Sequence, residues 1–493
     1  MIQPSTKAKI IIGNSFCELK GFPKDIMDAI SKDLSYRNEE TQFERKRIYS
    51  EMERAKRYKN HKYFFALKKR LSELPQDVVC LLNENNTFMA GLLYRVKNTL
   101  KTHKFDLYEE INTRVRPNPY LTLKWRNKPP ALRYYQEEIL EQTDKYSKGV
   151  ISASVASGKT RCIVELIKQK EVNTLVIVPS LALLQQIYDE LFLAFGPKVK
   201  MVRTAGLKTK NKLPPIRIVN IQTLVSLQKK GHLDKLISDV DMVIADEIHH
   251  WGAFTATELA KDFNNIYYKY GFSGTFLRND SRILELHGFI SNVIYEYPPK
   301  KAVEDGFITP TEYIICKVPG RAHPNYQREY DLNYCGGMVL LNTIADIVKT
   351  IPMGEQILIL VDRKDKAGNL ISDWLTDMGY ANKYISGDDK KEAIKEAIDG
   401  FNELKYNILI GTTVIGEGID IRSTKHLIIG GGGKSEIKLV QSVGRAVRLY
   451  PGKEKAYIYD FDFLNTRFLG QHLRKRVMIY KDHFAGEVRE YEL

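Results

Sequence analysis

Cysteine is scarce in this chain, and no spacing pairs it. The five present, Cys17, Cys80, Cys162, Cys316 and Cys335, fall in no CxxC motif and beside no spaced histidines. That pattern supports neither a zinc site nor a disulfide framework, and it suits a reducing cytoplasm. Long apolar runs are missing too: no stretch approaches the roughly 18 residues that a membrane span needs. The first residues, MIQPSTKAKIIIGNSF, carry a short apolar patch with no small-residue cleavage site behind it, so no signal peptide is expected. Acidic residues are in deficit. Sixty Asp and Glu stand against 75 Lys and Arg, a net charge of +15. Such an excess suggests a polyanionic partner, most often nucleic acid, although charge alone does not name one.

What is present is a chain of 493 residues with 43% hydrophobic content, enough for two or three domains with packed cores. Three regions differ in texture. Residues 1–120 read as a small α+β domain: a strand-like AKIIIGNSFCELKG, a helix in PKDIMDAISKDL, a long charged stretch, then strand, turn, strand and helix in DVVCLLNENNTFMAGLLYRVKNTLK. The proline-bearing RVRPNPYLTLKWRNKPPALR reads as a linker. In residues 121–310, short buried runs (GVISAS, NTLVIVPS, IRIVNIQ, MVIADE, YGFSGT) alternate with helical patterns. Residues 311–493 repeat the design with EQILILVDR, NKYISG, YNILIGTT, HLIIGG and KAYIYDF. The expected fold is α/β: two tandem parallel-sheet domains behind a small accessory domain. Ligands in such sheets bind at the carboxyl ends of the strands.

Two stretches look like phosphate loops. SASVASGKTRC follows a strand run and opens a helical one. Ala153 takes the first-glycine position of GxxxxGK[ST], and Gly158, Lys159 and Thr160 complete it. Backbone N–H groups of Ala156, Ser157 and Gly158 would hold phosphates at the helix N-terminus, Lys159 would add charge, and the Thr160 hydroxyl would reach Mg²⁺. The second stretch, IIGGGGKSEI, fails the pattern, because Ile428 falls where the first glycine should be. It reads as a strand and a flexible loop whose glycines tolerate positive φ. A close backbone approach to a nucleotide or a DNA phosphate would also call for glycine there. A phosphate loop needs a carboxylate for its metal. MVIADEIHH offers Asp246 for Mg²⁺ and Glu247 to polarise the attacking water.

At this point the residues resemble a family. Asp246 to His249, DEIH, is similar to the DExH box of superfamily 2 helicases, and further motifs follow in that family's order. LRYYQEEI resembles the glutamine motif, which implies adenine contact by Gln136 and Arg133. VPSLALLQQ and VNIQTL resemble strand-contacting motifs, with Thr223 as a phosphate contact. FSGTFLRND resembles the motif in which Ser273 and Thr275 link ATP state to DNA, and Arg278 matches an arginine of translocase-like members. GTTVIGEGIDI places Thr412 and Thr413 near DNA and Gly418 and Asp420 near the nucleotide. QSVGRAVR supplies Gln441, Arg445 and Arg448. The resemblance implies two RecA-like motor domains that share one ATP·Mg²⁺ site, with Arg445 and Arg448 stabilising the transferring phosphoryl group. The tailed-phage UvsW-like helicases look closest, with RecG and XPB more distant. That likeness implies a cytoplasmic enzyme that unwinds and branch-migrates forked or four-way-junction DNA alongside phage recombination and replication proteins.

The segment RYKNHKYFFALKKRL mixes cations with aromatics. Phosphate contact and base stacking would suit DNA. The plainer alternative, which we favour for the aromatics, puts Tyr63, Phe64 and Leu67 in a helix core and leaves the cations to DNA. The basic run from Arg37 to Arg70 is long for the family's accessory domain. Other functions remain open: the motor of a restriction or RNA-remodelling system, or an annealing scaffold with a vestigial ATPase. The intact Lys159, Asp246, Glu247, Arg445 and Arg448 set argues against the scaffold. Removing residues 1–120 is expected to weaken junction selectivity while preserving some ATPase activity.

Overall fold

The computed structural model describes residues 7–74, 77–154, 156–202, 213–251, 258–259, 261–274, 283–335, 337–362, 367–412, 421, 423–433, 436–484 and 486–492. The chain forms two compact units. The first comprises residues 1–151, 162–179 and 187–295, and the second 152–161, 180–186 and 296–493.

Among the described residues the N-terminal module has six strands: β1 (Ala8–Ile12), β2 (Phe16–Lys20), β3 (Ser35–Arg37), β4 (Val78–Cys80), β5 (Thr87–Met89) and β6 (Tyr108–Asn112). Four form a mixed sheet in the order β5-β2-β1-β6. β1 runs antiparallel to β2 and parallel to β6. Alternate residues of β1 are buried, so the sheet covers its core with one face. Between β3 and β4 rises a helical hairpin, Glu39–Arg57 and His61–Ser72. Ile48, Ala55 and Leu67 fill a small core between its helices, with Phe64 packed against it. Tyr63 departs from the expectation. It is 45% exposed, and its hydroxyl donates to Glu51 at 2.8 Å.

The next strands are β7 (Lys148–Ala153), β8 (Thr174–Val178), β9 (Val199–Met201), β10 (Ile216–Asn220), β11 (Met242–Ala245), β12 (Tyr268–Ser273) and β13 (Val293–Tyr297). Their order is β13-β7-β12-β11-β8-β10-β9. β8, β10 and β11 are buried at every residue. That is why they read as continuous apolar runs: helices cover both faces of a parallel sheet. The N-terminal module is not a separate core. Ile10, Leu19, Phe88, Leu92 and Val96 of the module belong to the same apolar cluster as Leu175, Val219, Val243, Phe289 and Ile290.

The last seven strands are β14 (Thr311–Pro319), β15 (Ile357–Val361), β16 (Asn382–Ile385), β17 (Ile408–Gly411), β18 (His426–Gly430), β19 (Ala456–Leu464) and β20 (Glu487–Glu492). They form a parallel sheet in the order β16-β17-β15-β18-β19-β14-β20. The two seven-stranded sheets are tandem RecA-like domains, as the motif order led us to expect. β9, β13, β14 and β20 were not anticipated. β20 is nearly all polar and lies at the sheet edge, where Glu490 pairs with Lys317 at 2.7 Å.

Candidate active site

Strand β7 ends at Ala153, and the helix Lys159–Lys170 begins six residues on. In the loop between them, Ala156 (φ 63°) and Gly158 (φ 77°) both adopt left-handed backbone. Conformations of that kind turn successive N–H groups toward one centre, a nest for an anion, and the helix N-terminus adds its dipole. Ala156 bears a steric cost there that glycine would not, of about 1–2 kcal/mol. Ser157 N–H donates to Ser154 O at 3.2 Å and Arg161 N–H to Gly158 O at 2.9 Å, closing the loop onto the helix. Lys159 Nζ lies back over the loop, 3.4 Å from Ala153 O. Ser154 Oγ is buried and has no hydrogen-bond partner among the described residues. Two left-handed residues, a twelve-residue helix and an overlying ammonium fit a polyphosphate. Thr160 follows in the first helical turn.

The acidic pair lies beyond β11. Asp246 N–H donates to Ile177 O at 2.9 Å, which extends the sheet by one residue and buries the carboxylate. Asp246 Oδ1 accepts from Glu247 N–H at 3.0 Å. Glu247 is itself left-handed (φ 45°), so its side chain leaves in a different direction from that of Asp246. Its Oε2 accepts from Gly274 N–H at 3.4 Å and stands 3.3 Å from His249 Nδ1. His249 Nδ1 is also 2.7 Å from Ser273 Oγ. The imidazole thus joins the acidic motif to the end of β12. His249 lies within the quoted DEIH, but a linking role for it emerges only in three dimensions. β12 lies next to β11 in the sheet, so Ser273 and the acidic pair leave neighbouring strands. Among the described residues no group of three or more His, Cys, Asp or Glu side chains could hold a metal alone. Mg²⁺ usually takes one or two carboxylates plus substrate phosphates, and a carboxylate such as that of Asp246 is the donor type it takes.

Gln136 has a structural task as well. Its Oε1 accepts from Arg133 N–H at 3.0 Å and caps the helix Tyr134–Lys145, while Arg133 Nη1 donates to Tyr135 Oη at 3.1 Å. Thr223 lies in the first turn of the helix Ile221–Lys229, its N–H donating to the capping Asn220 Oδ1 at 2.9 Å. Thr412 is buried just past β17, its N–H 3.4 Å from Ile385 O. Arg445 is buried near the end of the helix Glu436–Ala446, and Arg448 N–H donates to Arg445 O at 3.4 Å. Thr275, Arg278, Thr413, Gly418 and Asp420 lie outside the described residues, as does the side chain of Gln441.

The glycine run differs from the expectation of a flexible loop with positive φ. Gly430 to Gly433 are absent from the left-handed residues. They serve close packing instead: a Cβ on Gly431 would lie 2.6 Å from the Asp362 carboxylate, and one on Gly432 would overlap the Tyr334 ring. A carboxylate beside the loop disfavours phosphate. The look-alike is no second nucleotide loop.

Two further groups of residues are cationic, one exposed and one buried. At the hairpin tip, Arg54, Lys56, Arg57, Lys59 and Lys62 are exposed, beside Tyr58 (80% exposed) and Phe65 (64%). At the base of the first RecA-like sheet two lysines are buried. Lys148 donates to Asn14 O, and Lys269 Nζ to Ser15 Oγ at 2.6 Å. Burial, with Arg114 nearby, pushes Lys148 down to about 7.

Residues 130–278 match the family model described as type III restriction enzyme, res subunit, and residues 340–450 match the helicase conserved C-terminal domain. The chain is 25% identical to a protein provisionally named helicase 22 of Sulfolobus islandicus filamentous virus, over 80% of this chain and 74% of that one. It is 23% identical to the ATP-dependent DNA helicase uvsW of Enterobacteria phage T4, over 68% of this chain and 69% of that one. Its fold is similar to that of the type ISP restriction-modification enzyme LlaBIII bound to DNA. That match has a TM-score of 0.55 at 14% identity and covers 81% of this chain and 34% of the other.

Proposed function

We infer that this chain, which belongs to the superfamily 2 helicases and stands close to their UvsW-like members, is a DNA motor that unwinds and branch-migrates forked or four-way junctions. ATP use belongs to the helicase family; the choice of DNA, and of branched DNA, is our proposal, as is a role in phage recombination and replication. The observation that carries the motor reading is the His249 contact, which ties Glu247, the group nearest the chemistry, to Ser273 at the end of the neighbouring strand. In this reading Lys159 and the loop around it bind the β and γ phosphates, and Thr160 and Asp246 hold Mg²⁺. Glu247 orients water, and Arg445 and Arg448 stabilise charge in the transition state. Gln136 and Arg133 read adenine. Thr223, Thr412, Thr413 and Arg278 meet the polynucleotide backbone. The exposed aromatics and cations of the hairpin tip supply what a single strand or a branch point needs, a stacking face ringed by phosphate contacts.

The test is ATP-dependent processing of length-matched substrates: a tailed duplex, a fork, a mobile four-way junction, and an RNA duplex. Lys159→Ala serves as the control. Faster turnover of fork and junction, abolished in Lys159→Ala, is the expected result. Equal activity on the tailed duplex, or activity on RNA alone, would sink the junction reading and leave a motor of another kind.

A further inference from the structure

The helix Phe468–Phe484 carries His472, Arg476 and Tyr480, spaced four residues apart and therefore along one face. All three turn toward the last strands of the sheet and the glycine run. Arg476 is buried and makes a two-pronged ion pair with Asp460, Nε to Oδ2 at 2.7 Å and Nη2 to Oδ1 at 2.8 Å. Tyr480 Oη donates to Asp460 Oδ2 at 2.7 Å, and Phe461 N–H to Oδ1 at 2.8 Å. The fully buried carboxylate is thus satisfied on both oxygens, the condition under which a buried ion pair is tolerated. Arg476 still has a donor to spare, and its Nη1 reaches Gly433 O at 3.0 Å. One turn back, His472 Nδ1 is 3.0 Å from Gly432 O. A carbonyl only accepts, so Nδ1 carries the proton. The helix is pinned at its own start, where buried Glu329 accepts from the N–H groups of Arg467, Phe468 and Leu469 at 3.2, 2.8 and 2.9 Å.

Glycine backbone is the costliest to order. Here two successive carbonyls are held by side chains from one rigid helix, and Tyr334 and Asp362 close the other side. The loop leads within a few residues into the helix Glu436–Ala446, which ends with Arg445.

We propose that His472 and Arg476, braced by Asp460 and Tyr480, are positioning residues that fix the Gly430–Gly433 loop and, through it, the helix bearing Arg445. This rests on the reading of Arg445 as a group that acts in the transition state. A displaced arginine would then lower kcat while leaving KM for ATP unchanged, and a shift of about 1 Å can cost on the order of a hundredfold.

The experiment uses the full chain as wild type, His472→Phe and His472→Gln. Phe keeps a ring beside Tyr326, which lies 5.0 Å from the imidazole, but cannot donate. Gln keeps an N–H donor. Three quantities are measured: amide hydrogen exchange across residues 428–446, melting temperature, and steady-state ATP hydrolysis with saturating junction DNA. His472→Phe is expected to speed exchange in that segment and to lower kcat about tenfold or more, with KM and melting temperature unchanged. His472→Gln is expected to restore both exchange and kcat. Unchanged exchange in His472→Phe overturns the clamp. Faster exchange with wild-type kcat overturns its role in turnover. A wild type without DNA-stimulated hydrolysis overturns the proposed function and the turnover role, while exchange still decides the clamp.

Discussion

Leu92→Ala is expected to destabilise the first unit as a whole. Leu92 is fully buried in the tight turn Ala90–Leu92, which presses on the helix Ile283–Ile290 of the first RecA-like domain. There is little slack at that contact. A Cβ on Gly91 would overlap the carbonyls of His287 and Gly288, and one on Gly288 would overlap Met89. Removing three carbons costs about 2.4 kcal/mol of transfer energy at about 0.8 kcal/mol each. Backbone this close cannot collapse into the gap, so a cavity term adds to it, for a total of about 3–5 kcal/mol. At roughly 2–4 °C per kcal/mol for a domain of this size, the melting temperature should fall by about 6–20 °C. Differential scanning calorimetry of the full chain is the assay. If module and motor share one core, the transition that contains the first RecA-like domain moves. Should a small transition move alone, with that larger one at its wild-type temperature, the shared core is refuted.

Two other perturbations follow from the charged groups. Lys148 has a folded-state value near 7 against an ordinary 10.5, lowered by burial and then by Arg114, and buried Lys269 is lowered in the same direction with Lys148 as a neighbour. Between about 7 and 10.5 the unfolded chain binds the extra proton, so stability should rise with pH across that window; below it both states are protonated and the cost of the buried charge is fully present. Lys148→Met should raise the urea midpoint at pH 6 and flatten the rise toward pH 9, and an unchanged slope would refute the assignment. At the hairpin tip, Tyr58→Ala should weaken single-strand binding by about 1–3 kcal/mol if the ring stacks on a base. Arg57→Ala with Lys59→Ala should reduce the salt slope by roughly 0.7 for each phosphate that is no longer neutralised. Titration at several salt concentrations measures both, and a wild-type slope would place the strand elsewhere.

The central strands were legible because burial on both faces leaves an apolar run with turns at each end. β20 was hidden for the converse reason: an edge strand stabilised by ion pairs such as Lys317–Glu490 has no apolar face to display. Glycine misled in a particular way. The residue serves both left-handed backbone and close approach, and sequence does not separate the two. At Gly158 the first use applies, and at Gly431 and Gly432 the second. The acidic pair and Ser273 end adjoining strands, as their strand-like runs allow, but the link through His249 depends on a left-handed Glu247 that no spacing announces. His472, Arg476 and Tyr480 have a readable period of four, but spacing alone does not show what they hold, because Asp460, the partner of Arg476 and Tyr480, lies on another element.

The buried lysines bear on how the accessory module is to be studied. Lys148 opens β7, whose far end leads to the phosphate loop, and Lys269 lies near the start of β12, whose far end is Ser273. Their ammonium groups reach Asn14 and Ser15 in the turn between β1 and β2, and Ser15 Oγ donates in turn to Phe263 O at 2.8 Å. The module therefore grips the amino ends of two strands whose carboxyl ends lead to residues of the proposed ATP site. Cutting away residues 1–120 would strip those partners and uncover Phe289 and Ile290 together. Inactivity of such a truncation would report a damaged core and say nothing of substrate choice. Substitutions at the exposed hairpin tip leave the shared core intact, so the proposed role of the module in substrate choice is to be tested there.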